Sequence, residues 1–169
     1  TIFALAVAPV ISAQDFKVDK SPMDQASFPM SYKEANKDIK VTYSRPQLKG
    51  RAIEKLAPEG KVWRLGANEA VELTLYKDMK LGTTPLSKGT YTMYAMPEGD
   101  TWTVIVSSDL NVWGSYFYNK ENDVARITVP VEKAEDAIEY FGMEFVPVED
   151  GAHLVMAWGN TRVQVPFYN

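Results

Sequence analysis

The sequence predicts an all-β protein: an antiparallel β-sandwich, jelly-roll-like, of roughly nine strands with an extended N-terminal arm. Three observations carry that expectation. From Ile39 onward, apolar and polar residues alternate with period two, the signature of strands with one buried face. Clusters of Pro, Gly, Asn and Asp punctuate the alternating runs at spacings of about 8–14 residues. No interval between runs carries a long 3.6-residue period, which argues against helix-linked parallel strands. With 169 residues, the chain suits one domain able to bury a core without staples.

The elements follow in chain order. Ile2 to Ile11 is an apolar run, and Ser12-Ala13 places small residues just before Gln14. This resembles the end of a secretory leader, and the reading divides the chain into a signal-peptide remnant (1–13), an arm (14–38) and a β-sandwich domain (39–169). The run is too short to span a bilayer, which takes roughly 20 apolar residues; a buried N-terminal strand is the alternative. Asp15 to Asp38 is polar and broken by Pro22 and Pro29, an extended arm with one short helix around Tyr32–Asn36. Ile39-Lys40-Val41-Thr42-Tyr43 alternates and ends at Ser44, which precedes Arg45-Pro46 and is held extended. Val71, Leu73 and Leu75 share a face. Tyr91, Met93 and Ala95 alternate with Thr92, Tyr94 and Met96, and Pro97-Glu98-Gly99-Asp100 then turns the chain into Trp102, Val104 and Val106, a hairpin. Further strands are expected at Val112–Tyr118, Val124–Val131, Ile138–Val146, Ala152–Trp158 and Arg162–Phe167. The helical candidate inside the domain is Ala52–Ala57, stopped by Pro58.

Composition narrows the chemistry. Eighteen basic against 22 acidic residues give −4 with no basic cluster, so nucleic acid is not an expected partner. There is no cysteine, which removes disulfides, zinc-thiolate sites and thiol nucleophiles. The one histidine, His153, shares a strand face with Val155 and Ala157 and reads as structural, so no metal and no cofactor are expected. It would also have to be the base of any Ser-His-Asp triad, and no serine sits in a Gly-x-Ser-x-Gly turn. Glu121-Asn122-Asp123 lacks the spacing of a calcium loop and reads as a solvated turn. Paired carboxylates remain possible catalysts for sugar chemistry without histidine, with Glu69, Glu72, Asp78, Asp109 and Asp123 conceivable members.

The stretch Val41–Ala70 stands apart. It packs three arginines, a tryptophan and an Asn-Glu pair into text with little periodicity, the mark of a built surface or a buried hydrogen-bond network. Trp102 and Trp158 alternate with aliphatic residues and belong to the core. Trp63 and Trp113 adjoin polar sequence, and each either walls a cleft or covers an end of the sandwich. Glu69 is expected to brace the loop through Arg64, Arg45 or Arg51, since carboxylate–guanidinium forks are common structural devices. The candidate ligand-binding residues are Tyr43, Arg45, Arg51, Trp63, Arg64, Asn68, Glu69 and Trp113; no catalytic residue is singled out.

These residues also carry a family likeness. Thr42-Tyr43-Ser44-Arg45-Pro46-Gln47, Lys49-Gly50-Arg51 and Gly60-Lys61-Val62-Trp63-Arg64-Leu65-Gly66-Ala67-Asn68-Glu69-Ala70 resemble a bacterial family catalogued as domain of unknown function 2911. The likeness continues through Gly89-Thr90-Tyr91, Trp102-Thr103-Val104-Ile105, Asn111-Val112-Trp113-Gly114 and Arg162-Val163-Gln164-Val165-Pro166, and Asp19-Lys20-Ser21-Pro22-Met23-Asp24 suits the family's opening. One departure lies between Arg51 and Gly60, where the family's glycine-rich turn with an aromatic is replaced by Ala52–Glu59. The resemblance implies an exported envelope protein, periplasmic or secreted, of the Bacteroidetes group. It brings no reaction with it. Two functional expectations follow: a non-catalytic binding or interaction domain for a glycan, a peptide or an envelope partner, or a carboxylate-dependent hydrolase of an envelope polysaccharide using Glu69. A purely structural scaffold for envelope assembly is a third.

Overall fold

Residues that alternate in the sequence alternate across a sheet in space. The computed structural model describes residues 16–169, so the leader-like run 1–13 lies outside the described residues. Nine strands form among them: β1 (Met23–Phe28), β2 (Ile39–Ser44), β3 (Val71–Leu75), β4 (Met79–Leu81), β5 (Thr84–Leu86), β6 (Gly89–Glu98), β7 (Thr101–Ser107), β8 (Asp123–Val148) and β9 (Gly151–Tyr168). Every neighbouring pair is antiparallel, in the order β1-β2-β3-β6-β7-β8-β9-β4-β5.

The two layers are the two ends of one sheet. Asp123–Pro130 of β8 pairs with β7, and from Val131 onward β8 pairs with β9, so this strand carries the chain from one layer to the other. Between Lys133 and Gly142 its register against β9 slips twice, which is how a strand bends without losing its ladder. The layers close on a single core. Ile39, Val41, Val71, Leu73, Met93, Val104 and Val106 from one side meet Phe141, Phe145, Leu154, Met156, Trp158 and Val165 from the other. Each large side chain so buried contributes about 1.5–3 kcal/mol of transfer free energy. The β6–β7 hairpin forms where expected, with Glu98 opposite Thr101 and Gly99 in the left-handed region at φ 61°.

Several elements differ from expectation for physical reasons. The arm contributes β1, an edge strand antiparallel to β2, because Met23–Phe28 finds a ready ladder there despite its weak alternation. Val124–Val131 and Ile138–Val146 are parts of one strand, as are Ala152–Trp158 and Arg162–Phe167; their turn-like interruptions are register slips and a glycine, Gly159. Val112–Tyr118 is a loop. Its aromatic β-formers suggested a strand, but Asn111 and Gly114 take positive φ and fold the segment back instead. Ala52–Ala57 gives only a 3-10 turn at Ile53–Lys55, and Tyr32–Asn36 forms no helix. The short hairpin β4–β5 was missed, each of its strands being three residues long.

Candidate functional site

The Val41–Ala70 block divides in space. Its first part, Thr42–Arg51, straps the bent region of β8. Leu48 N–H donates to Glu139 O (3.1 Å), and Phe141 N–H donates to Pro46 O (3.0 Å). Two side chains continue this pairing past the reach of the backbone. Arg45 Nε donates to Phe141 O (3.0 Å), and the Tyr43 hydroxyl accepts from Met143 N–H (2.9 Å) while its own proton faces Met143 O (3.4 Å). Arg45 also pairs with Asp24 at 3.2 Å, tying β1 to the strap. Burial raises the Tyr43 pKa, opposed by the Met143 hydrogen bond. Arg51 turns back on its own loop, donating to Gln47 O (2.7 Å) and Leu48 O (2.8 Å). Tyr43, Arg45 and Arg51 therefore hold backbone groups.

Trp63 walls no cleft. It is 5% exposed, stacks on Trp158 (5.7 Å between centroids, 10° between planes) and meets Trp102 and Phe141 edge-on. Its backbone exchanges both hydrogen bonds with Ala95, at 2.7 and 3.0 Å. Directly opposed residues in an antiparallel pair share a face. Ala95 faces the core, so Trp63 does too.

The rest of the block forms a platform with the loop Leu110–Tyr118. Gly114 N–H donates to Asn68 O (3.0 Å), Ala70 N–H donates to Val112 O (3.0 Å), and Glu69 opposes Trp113 across an antiparallel bridge. Arg64 donates to Asn68 O at 3.2 Å, and Asn68 Nδ2 donates to Asp19 at 3.2 Å. None of the ion pairs among the described residues includes Glu69, so the expected brace to an arginine is not made. Leu65, Asn68 and Asn111 all adopt positive φ without being glycine; asparagine tolerates that region, so the strain falls on Leu65. Gly66 has room for nothing larger: a Cβ there would lie 2.9 Å from Ser44 O. Gly114 is constrained by its φ of 68° and by the Tyr116 ring lying against it.

This platform displays aromatic surface. Leu110 is 52% exposed, Trp113 55%, Tyr116 74% and Phe117 81%. Leu110 also lines a hollow of about 180 Å³ together with Thr42, Glu69, Glu72, Tyr91 and Asn111, among others, and Glu69 of that lining is bridged to Trp113. The hollow thus combines two carboxylates, an amide and a hydroxyl with the Tyr91 ring and the Leu110 side chain.

A buried polar layer supports the platform from beneath. Tyr94 and Ile105 oppose one another on β6 and β7 and are fully buried, yet they stand outside the main core, because the 108–122 loop covers the outer face of this layer. Asp123 accepts from Tyr118 (2.8 Å) and from Arg126 Nε (2.7 Å), and Arg126 also donates to the Tyr118 hydroxyl. Asn122 Nδ2 donates to Asp109 at 2.7 Å, and Thr92 donates to Asp109 O at 2.6 Å. The Tyr94 hydroxyl has no partner among the described residues; burial, with the charges of Asp109, Tyr118 and Asp123 behind it, pushes its pKa to about 12. Burial raises Tyr118 as well, helped by Asp123. Burial works against the Arg126 charge, but the Asp123 hydrogen bond and charge raise its pKa overall.

A family model described as protein of unknown function (DUF2911) matches residues 21–167, nearly the whole chain. The chain belongs to that family. No curated protein and no solved structure is similar enough to match. In this DUF2911 domain the family-like segments do two jobs: Thr42–Arg51 straps β8, and Arg64–Ala70 with Asn111–Gly114 builds the platform. Of the eight sequence candidates, Arg64, Asn68, Glu69 and Trp113 come together; Tyr43 and Arg45 form a separate pair, Arg51 caps its own turn, and Trp63 is core. Sequence reasoning missed Tyr116, Phe117, Tyr91 and Asn111. The available signal was Asn111 and Gly114 flanking an aromatic run, which marks a displayed loop more than a strand. His153 lies with Nε2 at 3.4 Å from the Tyr168 hydroxyl. No helix among the described residues is long and apolar enough to cross a membrane.

Proposed function

We propose that this domain is a non-catalytic binding module that takes a glycan at the platform. The observation that supports it most is exposed Trp113 bridged to Glu69, which lines one hollow with Glu72 and Asn111, while Tyr116 and Phe117 stand exposed further along the same loop. A sugar ring offers an apolar face that stacks on an aromatic plate and hydroxyls that carboxylates and amides can bond. The residues that would stack are on the loop together with Asn111, and the carboxylates that would orient the sugar, Glu69 and Glu72, are near the start of β3 and on it. The proposal includes an exported, periplasmic or secreted, location, for which the leader-like run Ile2–Ile11 is the motive.

The test is calorimetric titration of the full chain with oligosaccharides prepared from bacterial envelope polysaccharide. Trp113→Ala and Arg64→Ala are expected to lose binding while keeping the wild-type thermal transition. Undiminished affinity in Trp113→Ala, or loss of its folded state, would discard the reading.

A hydrolase remains the second reading, favoured by one observation: Glu69 and Glu72 line the same hollow. Two carboxyls about 5–10 Å apart are what glycoside cleavage needs. Release of reducing ends by the wild type, abolished in Glu69→Gln and in Glu72→Gln, would establish it; the binding reading expects none.

A further inference from the structure

A second candidate site lies on the other layer, where β8 slips past β9. Lys133 opposes Thr161 and Ile138 opposes Gly159, so the β8 stretch between those partners is longer than the β9 stretch facing it. Surplus residues Ala134, Glu135 and Asp136 help line an open trough of about 530 Å³, which lies on the outer face of the layer because Val155 and Ala157 alternate with core residues. Val155 and Ala157 lie in this trough with Arg162 and the carboxylates of Glu132, Glu135, Asp136 and Glu144. Val155 alternates with the core residues Leu154 and Met156 and still is only 4% exposed, so the trough has a sheltered apolar wall.

Arg162 is the unexplained member. It stands directly opposite Glu132 in the β8–β9 register, yet Glu132 accepts from Gln164 Nε2 on both oxygens at 3.1 Å instead. Arg162 belongs to no ion pair among the described residues, and its Nε is buried without an acceptor. The Nε is covered by protein, whereas the residue as a whole is only partly buried and no hydrogen bond among the described residues engages its terminal nitrogens; the preferred complement of those nitrogens is a carboxylate held by two parallel bonds. The surroundings restrict what carries that carboxylate. Four acidic side chains against Lys133 and Arg162 repel a phosphate dianion or any strongly anionic ligand. They favour a molecule whose carboxylate is accompanied by an ammonium group.

We infer that this trough binds a small zwitterion, a free α-amino acid or a short peptide. Its carboxylate sits on Arg162, and its ammonium sits among Glu135, Asp136 and Glu144. The site is independent of the aromatic platform, so it stands or falls apart from glycan binding.

The experiment titrates the full chain, followed by calorimetry and amide chemical shifts, with L-alanine, L-lysine and alanyl-alanine. N-acetyl-alanine, alaninamide and inorganic phosphate serve as the one-charge comparisons. Saturable binding of a zwitterion is expected, with shifts centred on Arg162, Val155 and Ala157. Both blocked alanines should bind at least about tenfold more weakly, since each loses one charged contact. Stronger binding of alanyl-alanine than of alanine identifies a peptide ligand, and the reverse a free amino acid. Arg162→Lys keeps the charge but loses the fork and should weaken binding by a similar factor. Glu135→Gln and Asp136→Asn, both in the exposed surplus stretch, test the ammonium side without touching the core. Phosphate binding as tight as any zwitterion, or no saturable binding at all, would overturn the inference. So would equal affinity for alanine and its blocked forms.

Discussion

Trp63 and Trp113 start out alike, each a lone indole in polar, aperiodic sequence, and end in opposite environments, one in the core and one at the surface. Trp63 is 5% exposed and Trp113 is 55% exposed. The difference does not come from their immediate neighbours, which are similar in kind. It comes from the residue each one opposes. Trp63 bridges Ala95, an inward position of β6, and Trp113 bridges Glu69, an outward position beside the hollow. Because directly opposed residues share a face, the partner decides whether an indole joins the core or the surface. A tryptophan in a loop is therefore read from its bridge, not from its flanks.

The comparison can be broken in four places. The largest effect is expected at Trp63. Trp63→Ala empties the site between Trp102, Phe141 and Trp158, and should cost about 3–5 kcal/mol of unfolding free energy by denaturant titration. A loss of less than 1 kcal/mol would mean that this aromatic cluster does not join the layers.

A second test sharpens the contrast by asking what the exposed platform stands on. The Tyr94 pKa is raised to about 12. Below its ordinary value near 10 the phenol is neutral in both folded and unfolded chains, and pH has no effect through it. Between pH 10 and 12 the unfolded chain releases a proton that the folded chain retains, so stability falls, by on the order of 2 kcal/mol. Unfolding titrations at pH 8, 10, 11 and 12 should show the decline, and Tyr94→Phe should make it shallower. At pH 8 that variant should be no less stable than wild type, since the hydroxyl it deletes has no partner among the described residues. A marked destabilisation at pH 8 would show that the hydroxyl is bonded after all.

Tyr43→Phe probes the strap. It leaves Met143 N–H without its acceptor and should cost about 1–2 kcal/mol. Hydrogen exchange at Met143 should rise more than at Phe145; uniform protection would show that the phenol bond carries nothing. The smallest effect is expected from Trp113→Ala, whose stability should stay within about 0.5 kcal/mol of wild type. A melting transition shifted by more than that would place Trp113 with Trp63 as a structural residue and remove the contrast.

Much of the fold was legible in the chain because a half-buried strand writes its orientation every second residue. Val71-Leu73-Leu75 and Trp102-Val104-Val106 face inward as their alternation required, and Gly99-Asp100 turns the hairpin. The continuous β8 was not legible, because its inward residues Ala125, Val129, Phe141, Met143 and Phe145 are separated by the charged, register-slipped stretch from Lys133 to Gly142, which reads as a turn between two strands. Half of the candidate site was legible as well. Arg64, Asn68, Glu69 and Trp113 converge, whereas Tyr43 and Arg45 drew notice for the same polarity and serve instead as side-chain rungs on β8. Polar residues in aperiodic text look the same whether they bond a ligand or a strand edge.

Alternation, turn residues and the lack of helical period by themselves determined that this chain makes an antiparallel all-β domain, since those signals are local and each strand carries its own. The folded arrangement alone decided which indole is sheltered, which aromatics stand in water and which arginine lacks an acceptor. Those outcomes depend on pairings between residues far apart along the chain, such as Trp63 with Ala95 and Glu132 with Gln164, and no stretch of sequence contains both members.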